Sequence, residues 1–198
     1  QGAQHSQALH SWFAHIPGLR VVMPSTVQDA RDLLISSVLC PDPVLYIDDR
    51  WLYEQKEEIE PIVEKPLNLM KPKCLRKGSD ITIVGSGYST FLANQIAKLI
   101  NNKKINSEVF DLRVLNPLYI DDLKDSVLKT KRLLVIDSGW KNCGMASEVI
   151  TSITEKIPIN TFLSPPRRIT LPDCPAPSSE IHEKEYYPSL DRIKEVIY

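Results

Sequence analysis

Along this chain, short apolar runs alternate with segments in which apolar residues recur every three or four positions. Residues 20–23 (RVVM) read as a short strand stopped by Pro24, and Ser25-x-x-Gln28 reads as a capping box that opens a helix. That helix is expected over 26–39, with Val27, Ala30, Leu34 and Val38 spaced to form its inward face. Pro41 and Pro43 end it, and residues 44–47 (VLYI) read as a second buried strand. The unit is strand, helix, strand.

The pattern lapses after residue 48. Charged residues and Pro61, Pro66 and Pro72 break any period, although Ile59, Ile62, Val63, Leu67 and Leu69 make the stretch too apolar for a floppy tether. Alternation resumes at residue 79. The expected order is strand 81–84, the turn Gly85-Ser86-Gly87, a helix with Leu92, Ile96 and Leu99 inward, strand 108–110, a helix through Ile120, Leu123 and Val127, and strand 133–136. A helix through Ala146, Val149, Ile150 and Ile153, a strand near 160–163 and a final helix capped by Ser189 and carrying Leu190, Ile193 and Val196 complete it. Asn116 is expected to cap the fourth of the chain's helices with Pro117 at its first position, with Asp121 and Asp122 at the positive end of its dipole and Lys129 and Lys131 near the negative end. Such an order implies an α/β fold: a three-layer, mostly parallel sheet with helices on both faces, preceded by a partial α/β domain. The expected division is 1–53, a linker at 54–78, and 79–198.

Composition narrows the function classes. With 24 basic and 25 acidic residues the formal charge is -1, so there is no electrostatic case for nucleic acid or an anionic membrane. The apolar runs fall far short of the roughly 20 residues that span a bilayer. Cys40, Cys74, Cys143 and Cys174 are scattered without metal-ligand spacing, which reads as reduced thiols in an intracellular protein. The opening line carries no start methionine and no targeting pattern, and reads as the back part of a larger protein.

Two motifs carry candidate chemistry. Gly85-x-Gly87-x-x-Thr90 lies between a strand and a helix with Asp111 ending the next strand, the layout of a dinucleotide fingerprint. Thr90 replaces the third glycine and Tyr88 sits where close approach is wanted, so the reading favours a structural turn. His5, His10 and His15 recur every fifth residue, about 140° apart on a helix, and do not converge on one metal ion. His10 and His15 read as packing or capping residues. His5 lies in the polar stretch Gln4-His5-Ser6-Gln7, where a loop presents an imidazole able to donate to a carboxylate or shuttle a proton.

The run AQHSQALHSWFAHIPGLRVVMPSTVQDARDLL followed by PDPVLYIDDRWLYE resembles the second half of the pyrimidine-binding domain in beta subunits of thiamine-diphosphate-dependent 2-oxoacid dehydrogenases, members of the transketolase superfamily. The runs VFDLRVLNPLYIDDLKDSV, KTKRLLVIDSGWKNCGMASEVI and RRITLPDCPAPSSEIHEKEYYPSLDRIKEVI resemble that family's C-terminal domain, in the same order. The resemblance spans essentially the whole chain.

What it implies is specific. His5 matches the histidine of the family's AQHSQ motif, which sits at the active-site mouth and assists acyl transfer to a lipoyl group. Thiamine diphosphate supplies the carbanion chemistry. The glutamate that activates the cofactor lies upstream of the matched region, and an alpha subunit or the matching domain holds the diphosphate and magnesium. No cofactor or metal is therefore expected on this chain alone, and the isolated chain is expected to be inactive. Implied partners are the alpha subunit, a second beta subunit and the lipoyl acyltransferase core, in the cytoplasm or, in a eukaryote, the mitochondrial matrix or plastid. Asp48-Asp49-Arg50 departs from the glutamate-containing segment of many relatives. The acidic residues Glu180, Glu183, Glu185 and Asp191 read either as a docking patch for a basic partner or as a solvated face. Two alternatives stay open: a transketolase-like synthase forming carbon–carbon bonds, and a non-catalytic dinucleotide-binding or interaction module.

Overall fold

The computed structural model describes residues 4–198. A short helix α1 (His10–Ala14) precedes strand β1 (Arg20–Val22), helix α2 (Val27–Val38) and strand β2 (Val44–Tyr46), and β2 pairs in parallel with β1. Two 3-10 turns, Arg50–Leu52 and Leu67–Leu69, lead to strand β3 (Lys73–Arg76). The second alternation then runs β4 (Ile81–Gly85), α3 (Tyr88–Asn101), β5 (Ser107–Asp111), β6 (Val114–Asn116), α4 (Asp121–Thr130), β7 (Leu133–Trp140), α5 (Met145–Thr154) and β8 (Arg167–Leu171). Helices α6 (Glu180–Tyr186) and α7 (Leu190–Ile197) close the chain.

The larger sheet has the order β3-β5-β4-β7-β8; β5, β4, β7 and β8 are parallel and β3 joins the edge antiparallel. Its central strands are apolar on both faces, as strands covered on both sides must be. Ile83, Val109, Leu134 and Ile136 pack against Leu92, Ala93, Ile96 and Ile100 of α3 and Ile193 of α7. Val84, Phe110, Leu133 and Val135 face Leu123 and Val127 of α4 and Val149 and Ile153 of α5. This is the expected three-layer α/β arrangement. The final helix is capped by Ser189, whose Oγ accepts from the Arg192 amide, also as expected.

Several local expectations are corrected. Thr26, not Ser25, caps α2, accepting from the Asp29 amide, while the Ser25 hydroxyl is turned inward. The buried face of α2 is Asp29, Leu33 and Ser36; Leu34 and Val38 are 49% and 77% exposed. Polar contacts fix that rotation. Asp29 pairs with Arg113 at 2.9 Å, and Ser36 donates to the Lys65 carbonyl at 2.7 Å. In α3 the inward face centres on Ala93, Ile96 and Ile100, which leaves Leu99 half exposed. Asn116 does not cap α4. It ends β6, its amide donates to the Ile16 and Leu19 carbonyls, and the Asn116–Pro117 peptide is cis. Asp121 and Asp122 do occupy the first turn of α4 and Lys129 its last, as expected, with Lys131 at the C-cap; Lys129 also pairs with the buried Glu108 at 2.7 Å. Residues 159–161 form a 3-10 turn, and the strand expected near them comes later, as β8.

The smaller sheet has the order β2-β1-β6, so a strand from the second half of the chain completes the first. β6 runs antiparallel to β1, and the Met23 amide donates to the Arg113 carbonyl at 2.9 Å. Arg113 takes a left-handed φ of 63° to turn the chain between β5 and β6. Apolar patterning did not separate β6 from β5, because only two residues lie between them.

Candidate functional site

A cleft of about 400 Å³ opens where the carboxyl ends of β1 and β2 meet that of β7. Open α/β sheets place their ligand sites at such strand ends. The segment from His5 to Leu9 and His10 form one wall, Asp48 to Trp51 another, and Ser138, Glu183 and Tyr187 of the second half of the chain a third. His5 is exposed on this cleft. Its neighbour Ser6 accepts a hydrogen bond from the Tyr187 hydroxyl at 3.5 Å. Trp51 stands edge-on to both Tyr88 and Tyr187, with ring centroids 4.7 Å apart in each pair, so the aromatic wall is continuous.

Within Asp48-Asp49-Arg50 the roles divide. Asp49 accepts from the Trp51 amide at 3.1 Å and from the Tyr88 amide at 3.3 Å, satisfying a donor at the start of α3 that Gly87 leaves open. Burial raises the pKa of Asp49, and these two amide bonds oppose the rise. Asp48 accepts from the Tyr53 hydroxyl, and Arg50 lines the cleft.

Beneath the cleft lies a buried pair that sequence reasoning missed. His10, 1% exposed, donates from Nε2 to Asp137 Oδ1 at 2.8 Å. Asp137 also accepts from the Gly139 amide on Oδ1 and the Ala146 amide on Oδ2, each at 2.9 Å. Burial pushes the Asp137 carboxyl up, but the bond and charge of His10 and the two amides outweigh it, so its pKa lies below the ordinary carboxylate value. The only signal in the sequence was an aspartate ending the apolar run LLVI, with glycines two and seven positions later.

The three histidines do not share one helix: α1 begins at His10 and His5 precedes it. His5 and His10 flank one cleft, whereas His15 lies in a different groove with Trp12 and Met145. The Gly85-Ser86-Gly87 turn is closed. A Cβ on Gly87, whose φ is 51°, lies 2.6 Å from Met23 Cε, so the Met23 side chain covers the turn. Asp111 is fully buried and accepts from Ser25 Oγ at 2.5 Å, Thr90 Oγ1 at 3.2 Å and the Arg113 amide at 3.2 Å. No ribose hydroxyl reaches it. Burial drives the pKa of Asp111 up to about 7 against the Ser25 bond.

Magnesium and a diphosphate find no seat here. Among the described residues no three His, Cys, Asp or Glu side chains gather as metal ligands; the glycine turn before α3 is covered by Met23, and in the first turn of α5 the Met145 and Ala146 amides are taken by Ser11 and Asp137. The acidic residues divide as well: Glu180 pairs with Lys184 on the surface of α6, while Glu183 lines the cleft. All four cysteines are free thiols. Among the described residues no helix is long and apolar enough to cross a membrane.

Residues 71–193 match the family model described as transketolase, C-terminal domain. The chain is 36% identical over 180 residues to the mitochondrial pyruvate dehydrogenase E1 component subunit beta of Ascaris suum, covering 89% of this chain and 50% of that protein. It is 35% identical over 194 residues to the acetoin:2,6-dichlorophenolindophenol oxidoreductase subunit beta of Bacillus subtilis, covering 98% of this chain and 56% of that one. The chain thus spans about half the length of these relatives. A solved structure titled split gene transketolase, inactive beta4 tetramer, shares the fold with a TM-score of 0.78 at 20% identity, over 98% of this chain and 61% of the other. With its parallel sheet, its strand-end cleft and a match over most of its length, the chain belongs to the transketolase C-terminal domain family, among relatives named as E1 beta subunits of 2-oxoacid dehydrogenases.

Proposed function

We infer that this chain is the C-terminal portion of a 2-oxoacid dehydrogenase beta subunit. With an alpha subunit it decarboxylates a 2-oxoacid and passes the acyl group to a lipoyl carrier. Residues 1–53 are the end of a pyrimidine-binding domain, 54–78 a connecting segment, and 79–198 the C-terminal domain. Thiamine diphosphate supplies the carbanion chemistry when bound, and it is held by segments other than those described here. The isolated chain is inactive on this reading. Its partners are the alpha subunit, a second beta subunit and the acyltransferase core.

One observation carries the reading: His5 stands exposed on a cleft at the strand ends, walled on the far side by Glu183 and Tyr187. An imidazole there donates to the carboxylate of a 2-oxoacid, or gives a proton to the sulfur leaving a lipoyl disulfide. Trp51 and Tyr187 give the arm of a carrier an apolar wall to slide along.

The test is His5→Ala in the assembled alpha–beta enzyme. Acylation of a lipoylated carrier is expected to fall on the order of 100-fold, the usual weight of one acid–base group, with cofactor affinity little changed. An unchanged acylation rate overturns the role. The relative named for acetoin shows that beta subunits of this kind are not all named for one substrate, so pyruvate, a branched-chain 2-oxoacid and acetoin should be compared side by side.

A further inference from the structure

The segment carrying His5 is short, and the helix that follows cannot orient it unaided. α1 has five residues and its N-cap, Leu9, offers no side-chain bond. A helix of that length is held by what it packs on rather than by its own hydrogen bonds. Three side chains supply the hold, and all tie to the second half of the chain. His10 donates to Asp137 at 2.8 Å. Ser11 Oγ accepts the Met145 amide at 3.0 Å, satisfying a donor in the first turn of α5. One residue after His5, the Tyr187 hydroxyl reaches the Ser6 carbonyl at 3.5 Å.

The Asp137 end of this tether is built with little slack. Both carboxylate oxygens are already fixed by the Gly139 and Ala146 amides, so the acceptor presented to His10 has one orientation. A Cβ on Gly139 lies 3.2 Å from His10 Cε1, and one on Gly144 lies 2.1 Å from the Trp140 carbonyl oxygen. The chain passes this point because those two positions are glycine. Asp137 is buried, and its Oδ2 bond to the Ala146 amide ties the first turn of α5 to the same carboxylate that holds His10.

We propose that Asp137, acting through His10, is a positioning residue for His5: it pins the start of α1 to β7 and so fixes where the segment 5–9 carries the imidazole. The proposal rests on the reading that His5 works in the cleft. The chain just after His5 is held at Ser6 and again at His10; a stretch held at two points samples few conformations, and losing one hold multiplies them. A displacement of about 1 Å at an acid–base group costs on the order of 100-fold in rate. Asp137 touches no substrate on this account.

The experiment compares His10→Leu, His10→Gln and Asp137→Asn with His5→Ala in the assembled alpha–beta enzyme, reading kcat, KM and hydrogen exchange of residues 5–9. His10→Leu and Asp137→Asn should lower kcat for lipoyl acylation about 10- to 100-fold with KM for the 2-oxoacid nearly unchanged, and speed exchange in 5–9 while β4 and β5 stay protected. His10→Gln, whose amide donates from about the place of imidazole Nε2, should recover most of the rate. A His10→Leu enzyme with the native rate overturns the proposal, as does a His10→Gln enzyme no better than His10→Leu, because a positioning role asks only for the donor. If His5→Ala is slow while His10→Leu is fast, positioning alone falls. If His5→Ala is itself as fast as the native enzyme, the reading of the cleft falls and takes the proposal with it.

Discussion

Two fully buried aspartates stand where the halves of the chain meet, and they have opposite acidities. Asp137 is held below the ordinary carboxylate value, whereas burial raises Asp111 to about 7. Desolvation acts on both; their partners differ. Asp137 is surrounded by donors only, the Gly139 and Ala146 amides and the His10 ring, and so favours the charge. Asp111 meets two hydroxyls, Ser25 and Thr90, and a single amide. A hydroxyl donates to a carboxylate or accepts from a carboxylic acid with little change of geometry, so Asp111 tolerates its proton. Burial alone therefore does not say which acid is charged.

The comparison is sharpest under amide substitution. Asp137→Asn forces an NH2 group against a donor and should destabilise the fold by about 3 kcal/mol, the scale for leaving buried donors to a lost charged acceptor unpaired. Asp111→Asn keeps an oxygen for the Arg113 amide and a donor for Ser25, and should cost no more than about 1 kcal/mol. Urea melts of both variants decide this, and equal losses would break the distinction.

A smaller effect appears in pH dependence. The folded state holds the Asp111 proton more tightly than the unfolded chain does, since about 7 exceeds the ordinary 3.8. Its contribution is therefore full below about pH 4 and is lost as the pH rises toward 7. For Asp137 the sign reverses: its contribution is present above the ordinary carboxylate range and is lost as pH falls through the lower folded value. Stability measured between pH 5 and 8 should decline more steeply in the native chain than in Asp111→Asn. Identical slopes would place the charge elsewhere. The smallest expected effect is none at all: NAD at millimolar concentration should leave the melting temperature unmoved, because Asp111 and the turn under Met23 are closed to it. A rise would show that this end opens.

Much of the larger sheet was legible in the sequence because β4 and β7 carry largely apolar runs, the pattern of buried parallel strands, and β5 keeps Val109 and Phe110 between polar ends. The same logic failed for α2. There the apolar stripe Leu34 and Val38 faces out, and the inward face was chosen by Asp29, Leu33 and Ser36 through an ion pair and a hydroxyl bond. Hydrophobic periodicity counts carbon and not hydrogen-bond partners. β3 escaped notice because Lys73 and Arg76 leave it without an apolar run, and β6 because only two residues part it from β5. The site was legible only in part. His5 stood out in a polar loop, but its cleft gathers Trp51, Glu183 and Tyr187 from distant positions, and His10 meets Asp137 across 127 residues. No local pattern announces such a pairing.

β6 carries a consequence for how this protein is inherited. Because a strand at 114–116 pairs with the one at 20–22, a gene cut between the two α/β units would hand each product an unpaired surface. The first piece would show a bare strand edge at β1, and the second would carry a three-residue strand with nothing to bind. Shuffling one unit into another protein is thus penalised in both donor and recipient. Melting is coupled for the same reason: calorimetry should record one transition in which both sheets disappear together.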